Sequence, residues 1–188
     1  MKYNYLAIIF FITFCLFSQE TKFGKVSVPD LEKKECSIDK EAAAEITYQY
    51  SRISFPSVYN EYEKEVYVRI KIYDKDKASD FLNKTINLRK GGSKRERISN
   101  FKAITYNLEN GNVQETKVSN ENIFEINENK YLDLYKFTFS NVKNGSVLEY
   151  KYILTSTLIW DIPTHYFEEQ IPILYSYYSF EHPDFILY

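Results

Sequence analysis

The sequence predicts an all-β fold: an antiparallel β-sandwich of about eight or nine strands with one short helix, preceded by an N-terminal signal peptide. Three observations carry this expectation. Tyr (18) and Phe (14) are abundant while Gly and Pro number five each, and aromatic side chains suit a pleated, half-buried surface. Apolar and polar residues alternate in EVYVRIKIY, where Val66, Val68, Ile70 and Ile72 share one face and Tyr67, Arg69, Lys71 and Tyr73 the other. Two Asn-Gly pairs, Asn110-Gly111 and Asn144-Gly145, separate strand-like runs and tolerate the positive φ that tight hairpins need.

The elements follow in chain order. Residues 1–19 open with Lys2 and an apolar run from Tyr5 to Phe17. At about 1.5 Å per residue that run is too short for a hydrocarbon core of about 30 Å, and its position fits a secretory signal cleaved near Ser18 or Gln19. Phe14 before Cys15 does not fit a lipoprotein signal. Residues 20–41 form a charged lead-in, with at most a helical turn near Asp39 to Ala44. The β-rich run Ala44 to Phe55 pairs with the alternating strand Glu65 to Tyr73. Asp74 to Lys84 is the one expected helix, capped by Asp74 or Asp76 and striped by Ala78, Phe81 and Leu82. Lys90 to Arg97 (KGGSKRER) reads as a basic loop, followed by hairpins turning at the two Asn-Gly pairs.

Charge and cysteine content narrow the function. The formal net charge is -2, which leaves no broad basic field to hold nucleic acid. Without residues 1–19 the chain has 23 basic and 26 acidic residues and one cysteine, Cys36. An exported domain without an internal disulfide points to a bacterial envelope: the periplasm, outer membrane or cell surface of a Gram-negative organism.

The ordered features resemble the DUF3857 domain. They are the Asp39–Ala44 strand start, the charged strand Glu65–Tyr73, the Ala103–Gly111 hairpin, the Val142–Tyr152 run, and the Trp160–Pro172 segment leading to Ser176–Tyr178. Domains of that family typically lie N-terminal to a transglutaminase-like domain in exported bacterial proteins. The resemblance covers about residues 24–188 and implies a β-sandwich of unassigned activity. Fuller members continue into more β structure and then a catalytic domain carrying Cys, His and Asp. No residue here matches those positions, so the expectation is a β domain over 42–188, C-terminally incomplete, with an exposed apolar edge at its aromatic end (FILY). Its expected role is that of a non-catalytic interaction or accessory module for a transglutaminase-like envelope system.

Candidate chemistry concentrates in Ile159 to Tyr188, which holds nine aromatic residues, both histidines and no Lys or Arg. Trp160, Tyr166, Tyr175, Tyr177, Tyr178 and Phe180 form the candidate interaction surface, for a protein partner or the absent transglutaminase-like domain, or for envelope polysaccharide as an alternative. Alternation puts Tyr177 and Tyr178 on opposite faces, so at most one of the two is displayed. Cys36, His165 and Asp184 occur in the order of a cysteine-hydrolase triad, but KKECSID lacks the helix N-terminus that stabilises a thiolate. His165, His182, Asp161, Glu168 and Asp184 offer metal donors, yet the histidines stand seventeen residues apart with prolines between. KGGSKRER lacks the Lys-Ser/Thr that completes a phosphate loop; its cations suit, at most, an anionic lipid or polysaccharide. The sequence thus implies no catalytic residue, no metal and no cofactor.

Overall fold

The computed structural model describes residues 21–57 and 61–182; the expected signal peptide and the FILY edge lie outside them. The fold is all-β. Among the described residues nine strands form, in chain order β1 (Ala44–Ser57), β2 (Glu61–Ile72), β3 (Asn83–Gly91), β4 (Lys94–Glu109), β5 (Asn112–Lys117), β6 (Ile123–Asn129), β7 (Leu132–Thr138), β8 (Val147–Ser156) and β9 (Ser176–Phe180). Their ladder is one continuous sheet in the order β6-β7-β3-β4-β8-β2-β1-β9, with β5 also paired to β4. β3 and β4 pair only at their shared turn, Lys90 with Arg95 and Gly91 with Lys94. Beyond that turn β3 joins β7 and β6, and Phe137 of β7 packs on Phe101 of β4 (4.8 Å) and Tyr150 of β8 (5.5 Å). The two layers of the expected sandwich are therefore parts of one sheet folded across itself.

Several local expectations are corrected. The sheet is mixed, because β9 lies parallel to β1, Gln49 opposite Ser176 through Ile53 opposite Phe180. A parallel neighbour needs a crossover, and residues 157–175 supply it. The helix expected over Asp74 to Lys84 shrinks to α2 (Ser79–Leu82). Asp74 instead accepts from the backbone N–H groups of Asp76 and Lys77 as a turn, and from Asn83 onward Lys84, Ile86 and Leu88 fall at period two in β3. Asn110 (φ 52°) and Gly111 (φ 77°) make the expected hairpin. Asn144-Gly145 does not, since its flanking strands β7 and β8 never pair with each other. Only Gly145 there has positive φ (91°), and its N–H donates to the carbonyl of Ile72, tying the connection to the end of β2. The KGGSKRER loop is mostly strand, and Lys90 and Arg89 are held by Asp133 and Glu96.

The largest correction concerns β2 and the lead-in. Val68, Ile70 and Ile72 face the main core as expected, yet Tyr67, Arg69 and Lys71 on the opposite face are buried too. Residues 21–36 cover them. Ser27 caps a second short helix, α1 (Val28–Glu32), in a reciprocal capping box with Asp30. α1 sets Leu31 against Ile104, Tyr106 and Val147 as a second apolar cluster. Cys36, in the expected charged lead-in, is fully buried.

Beneath this cover lies a polar network. Glu149, 0 % exposed, accepts from Arg69 Nε (2.7 Å), the Tyr106 hydroxyl (3.0 Å), the Tyr67 hydroxyl and the backbone N–H of Gly24 (2.8 Å). Arg69 also donates to the carbonyls of Lys22 (3.2 Å) and Lys25 (2.8 Å). Lys71 donates to the carbonyls of Leu31 (2.8 Å) and Gly145 (2.6 Å). Glu45 takes Lys33 (2.5 Å) and the Tyr73 hydroxyl (2.7 Å). Removing one partner of a buried pair strands the other charge, at a cost of about 3–5 kcal/mol. Glu149→Leu and Arg69→Met are each expected to lose about that much in urea unfolding, while the double variant loses less than either single change. Additive losses would refute the coupling.

Burial, reinforced by Lys34, pushes the Lys71 ammonium from 10.5 down to about 8. Between about pH 8 and 10 the unfolded chain therefore binds more protons than the folded one, and stability rises with pH. Below pH 8 both states carry the charge and the penalty is fully present. Burial first, and then Glu149 or Glu45, pushes the phenols of Tyr67, Tyr106 and Tyr73 up from 10.0. Above pH 10 only the unfolded chain sheds those protons, so stability falls. Urea midpoints should climb from pH 8 toward 10 and then drop. Lys71→Met should reduce the climb by about 1–3 kcal/mol without removing the drop; an unchanged climb in the variant would contradict this assignment.

Candidate interaction surface

The outer face of β1, β2 and β9 carries a row of rings built by strand register. The parallel pairing sets Tyr50 opposite Tyr177, and the antiparallel pairing sets Tyr50 opposite Tyr67. Tyr175 stacks on Tyr48 (centroids 5.2 Å, planes at 4°) and Tyr177 on Tyr50 (5.5 Å, 5°). Tyr48 leans on Tyr67 (5.1 Å), whose ring meets Phe23 of the lead-in edge-on (5.5 Å). Parallel strands place like residues side by side, so two Tyr-x-Tyr runs become two stacked pairs. The rings stand on the sheet with faces against each other. This leaves their edges, their hydroxyls and the outward faces of Tyr175 and Tyr177 for contact.

At one end of the row Arg52 grips Glu181 through Nε (2.8 Å) and a second guanidinium nitrogen (2.6 Å), holding the Glu181 carboxyl below its ordinary range. Beside the row, a shallow groove of about 330 Å³ is bordered by Tyr50, Glu65, Tyr67, Lys102 and Lys151. Lys151 lies over the Phe23 ring at 4.8 Å. Among the described residues no strand pairs with the far edge of β9.

The six residues singled out from the sequence divide into three groups. Tyr175 and Tyr177 (43 % exposed) stand on the outer face. Tyr178 and Phe180 turn to the inner face and pack, Tyr178 on His165 (4.8 Å, planes at 19°) and Phe180 on Phe55 (6.0 Å). Trp160 (74 % exposed) and Tyr166 project from the crossover. Tyr48, Tyr50, Tyr67 and Phe23 were missed by sequence reasoning. The signal for the first two was TYQY, a second Tyr-x-Tyr run whose partner only the register could name.

Among the described residues the members of the candidate triad and metal set are not brought together. Cys36 accepts the N–H of Ile38 (3.4 Å) inside the lead-in, while His165 lies on the crossover above the inner face, 3.4 Å from the Ser176 hydroxyl. Asp184 falls outside the described residues. Among the described residues no three His, Cys, Asp or Glu side chains converge as a metal site, and no helix is long and apolar enough to cross a membrane.

Comparison with known proteins adds a fold likeness only. No family model matches the chain, and no curated protein does. A crystal structure described as a "putative protease" from Parabacteroides distasonis superposes with a TM-score of 0.52 at 10% identity, covering 70% of this chain and 27% of that one. The chain thus spans about a quarter of that protein. A "putative nutrient binding protein" from Legionella pneumophila gives a TM-score of 0.28 at 10% identity, over 62% of this chain and 40% of that one.

Full burial of Cys36 has a direct chemical consequence. A thiol reagent such as DTNB should label Cys36 at least about 100-fold more slowly in the folded protein than in 6 M guanidinium, since reaction waits on opening. Fast labelling of the folded protein would mean an accessible thiol and reopen the nucleophile reading.

Proposed function

We propose that this chain is a non-catalytic, exported β module of the DUF3857 type that serves a transglutaminase-like envelope system by binding a protein partner. The observation that carries the proposal is the outer tyrosine row, beside a side of β9 with which no strand pairs among the described residues. Tyrosine combines a large apolar ring with a hydroxyl and loses little side-chain entropy on contact, which is why it recurs in interface hot spots. An open strand edge beside such rings suits a partner that adds a strand and packs side chains on them. The likeness to a quarter of a longer protein described as a "putative protease" fits an accessory role, and the family resemblance supplies the transglutaminase-like class of partner.

A second reading rests on the groove between Tyr50, Tyr67, Lys102 and Lys151. Its two cations beside aromatic edges suit an acidic envelope polysaccharide. The stacked pairs themselves suit sugars less well, because each ring already spends one face on its neighbour.

The test is calorimetric titration of the purified chain with the transglutaminase-like enzyme encoded in the same genome. Saturable binding that weakens at least 10-fold in the Tyr175→Ser/Tyr177→Ser double variant is the expected result. No binding, or binding indifferent to both tyrosines, would refute the proposal. Retention on insoluble peptidoglycan that depends on Lys102 and Lys151 would establish the second reading instead.

A further inference from the structure

The inner face of the large sheet holds a second concavity, separate from the tyrosine row. Three adjacent strands form its floor. Ser51 of β1 lies opposite Val66 of β2, which lies opposite Tyr152 of β8. One step along, Gln49, Val68 and Tyr150 make the next row. Lys64 of β2 pairs with Ile53, which makes it a diagonal neighbour of Ser51 on the same face. Thr164, His165, Tyr166 and Glu169 of the crossover lie over part of it, and the cleft, open to solvent, holds about 180 Å³. At about 30 Å³ per water-sized group, that admits a solute about the size of a small organic acid.

Several polar groups lining this space are donors, and Glu169 is its one carboxylate among the described residues. Ser51 is 2 % exposed and its hydroxyl makes no hydrogen bond. A buried polar group left in this state costs free energy unless something supplies the missing bond. Among the described residues Lys64 has no carboxylate within ion-pair distance. The carboxylate that acts on it, Glu96, already holds Arg89. Burial and the Lys64 charge both push His165 down, which keeps its ring neutral. Burial also holds the phenols of Tyr150 and Tyr152 well above 10.0, as donors. A hydroxyl, an ammonium and two phenols thus face one small space, walled by Val66, Val68 and the parallel rings of Tyr150 and Tyr152 (6.4 Å, 6°).

We propose that this cleft binds a small carboxylate, with its charge on Lys64, one oxygen accepting from Ser51 and its apolar end against Tyr150 and Tyr152. A carboxylate is an acceptor at both oxygens, and charge-assisted bonds to it are the stronger kind. The donor set and the size select it over a cation, which would meet Lys64, and over a neutral hydrocarbon, which would leave Ser51 unmet. The carboxylate belongs either to a free organic acid or to the C-terminus of a peptide.

The experiment is a two-dimensional amide NMR titration of the folded chain at pH 7 and constant ionic strength. The probes are propionate, propionamide, acetyl-Ala-Ala and acetyl-Ala-Ala-amide. Saturable shifts at Ser51, Lys64 and Val66 with propionate, absent with propionamide, are expected. Affinity should fall at least 10-fold in Lys64→Met and about 3- to 10-fold in Ser51→Ala, with both variants showing wild-type circular dichroism. Tighter binding of acetyl-Ala-Ala than of its amide and of propionate identifies a peptide terminus; the reverse order identifies a free acid. Non-saturable shifts, equal response to propionamide, or full binding by a folded Lys64→Met variant would each overturn the proposal. If Lys64→Met does not fold, Lys64→Arg, which retains the charge, must retain binding and Ser51→Ala must still weaken it; failure of either overturns it as well.

Discussion

The structure depends on one buried carboxylate. Glu149 sits near the start of β8, flanked by β2 and β4 on either side, where a strand of a two-layer β protein would ordinarily carry a residue facing water or an apolar core. An isolated charge there would cost several kcal/mol. It persists because Arg69 of β2, Tyr106 of β4, Tyr67 of β2 and the backbone of Gly24 converge on it. Three strands and the lead-in are thereby fixed to one point. The lead-in cannot leave without exposing Leu31 and stranding the Arg69 and Lys71 donors, so residues 21–36 behave as part of the fold rather than as a tether.

That constraint sorts the two faces of the large sheet. Near Glu149 the outer face is closed by α1 and the residues before it. Further along the same face, where the lead-in has run out, the sheet offers Tyr48 and Tyr50 to whatever packs beside them, and the chain entering β9 brings Tyr175 and Tyr177. The inner face is closed in part by β7 and in part by the crossover, whose fit over Lys64 and Ser51 leaves the small cleft. Both candidate sites lie where a covering layer ends.

The sequence revealed strands better than their neighbours. The period-two face of β2 and the Asn110-Gly111 hairpin were legible because each is a local pattern with a local physical cause. Period two in β2 implies a half-buried strand, whereas its Arg69 and Lys71 face is also closed, by a segment over thirty residues earlier. Asn144-Gly145 looked like a hairpin because the dipeptide is the same, but turn chemistry does not determine whether the strands on either side meet. The candidate surface was half legible. The aromatic tail was conspicuous, yet its partners Tyr48 and Tyr50 come from a parallel pairing of strands separated by more than one hundred residues, which no local pattern encodes.

The parallel strand ties these points together. Had the chain turned back after β8 by a short hairpin, a further strand would have been antiparallel to its neighbour and would not have needed to cross the sheet. Joining β1 in parallel requires the chain to travel over the inner face first, and that passage lies over part of the cleft. The same choice aligns the two Tyr-x-Tyr runs in phase on the outer face. Offset stacking between rings on adjacent strands adds about 0.5–1.5 kcal/mol per pair, which helps a five-residue edge strand hold its place. One topological decision thus produces both the tyrosine row and the Lys64 cleft. A ligand in the cleft that tightened the crossover would steady β9, and with it the outward faces of Tyr175 and Tyr177.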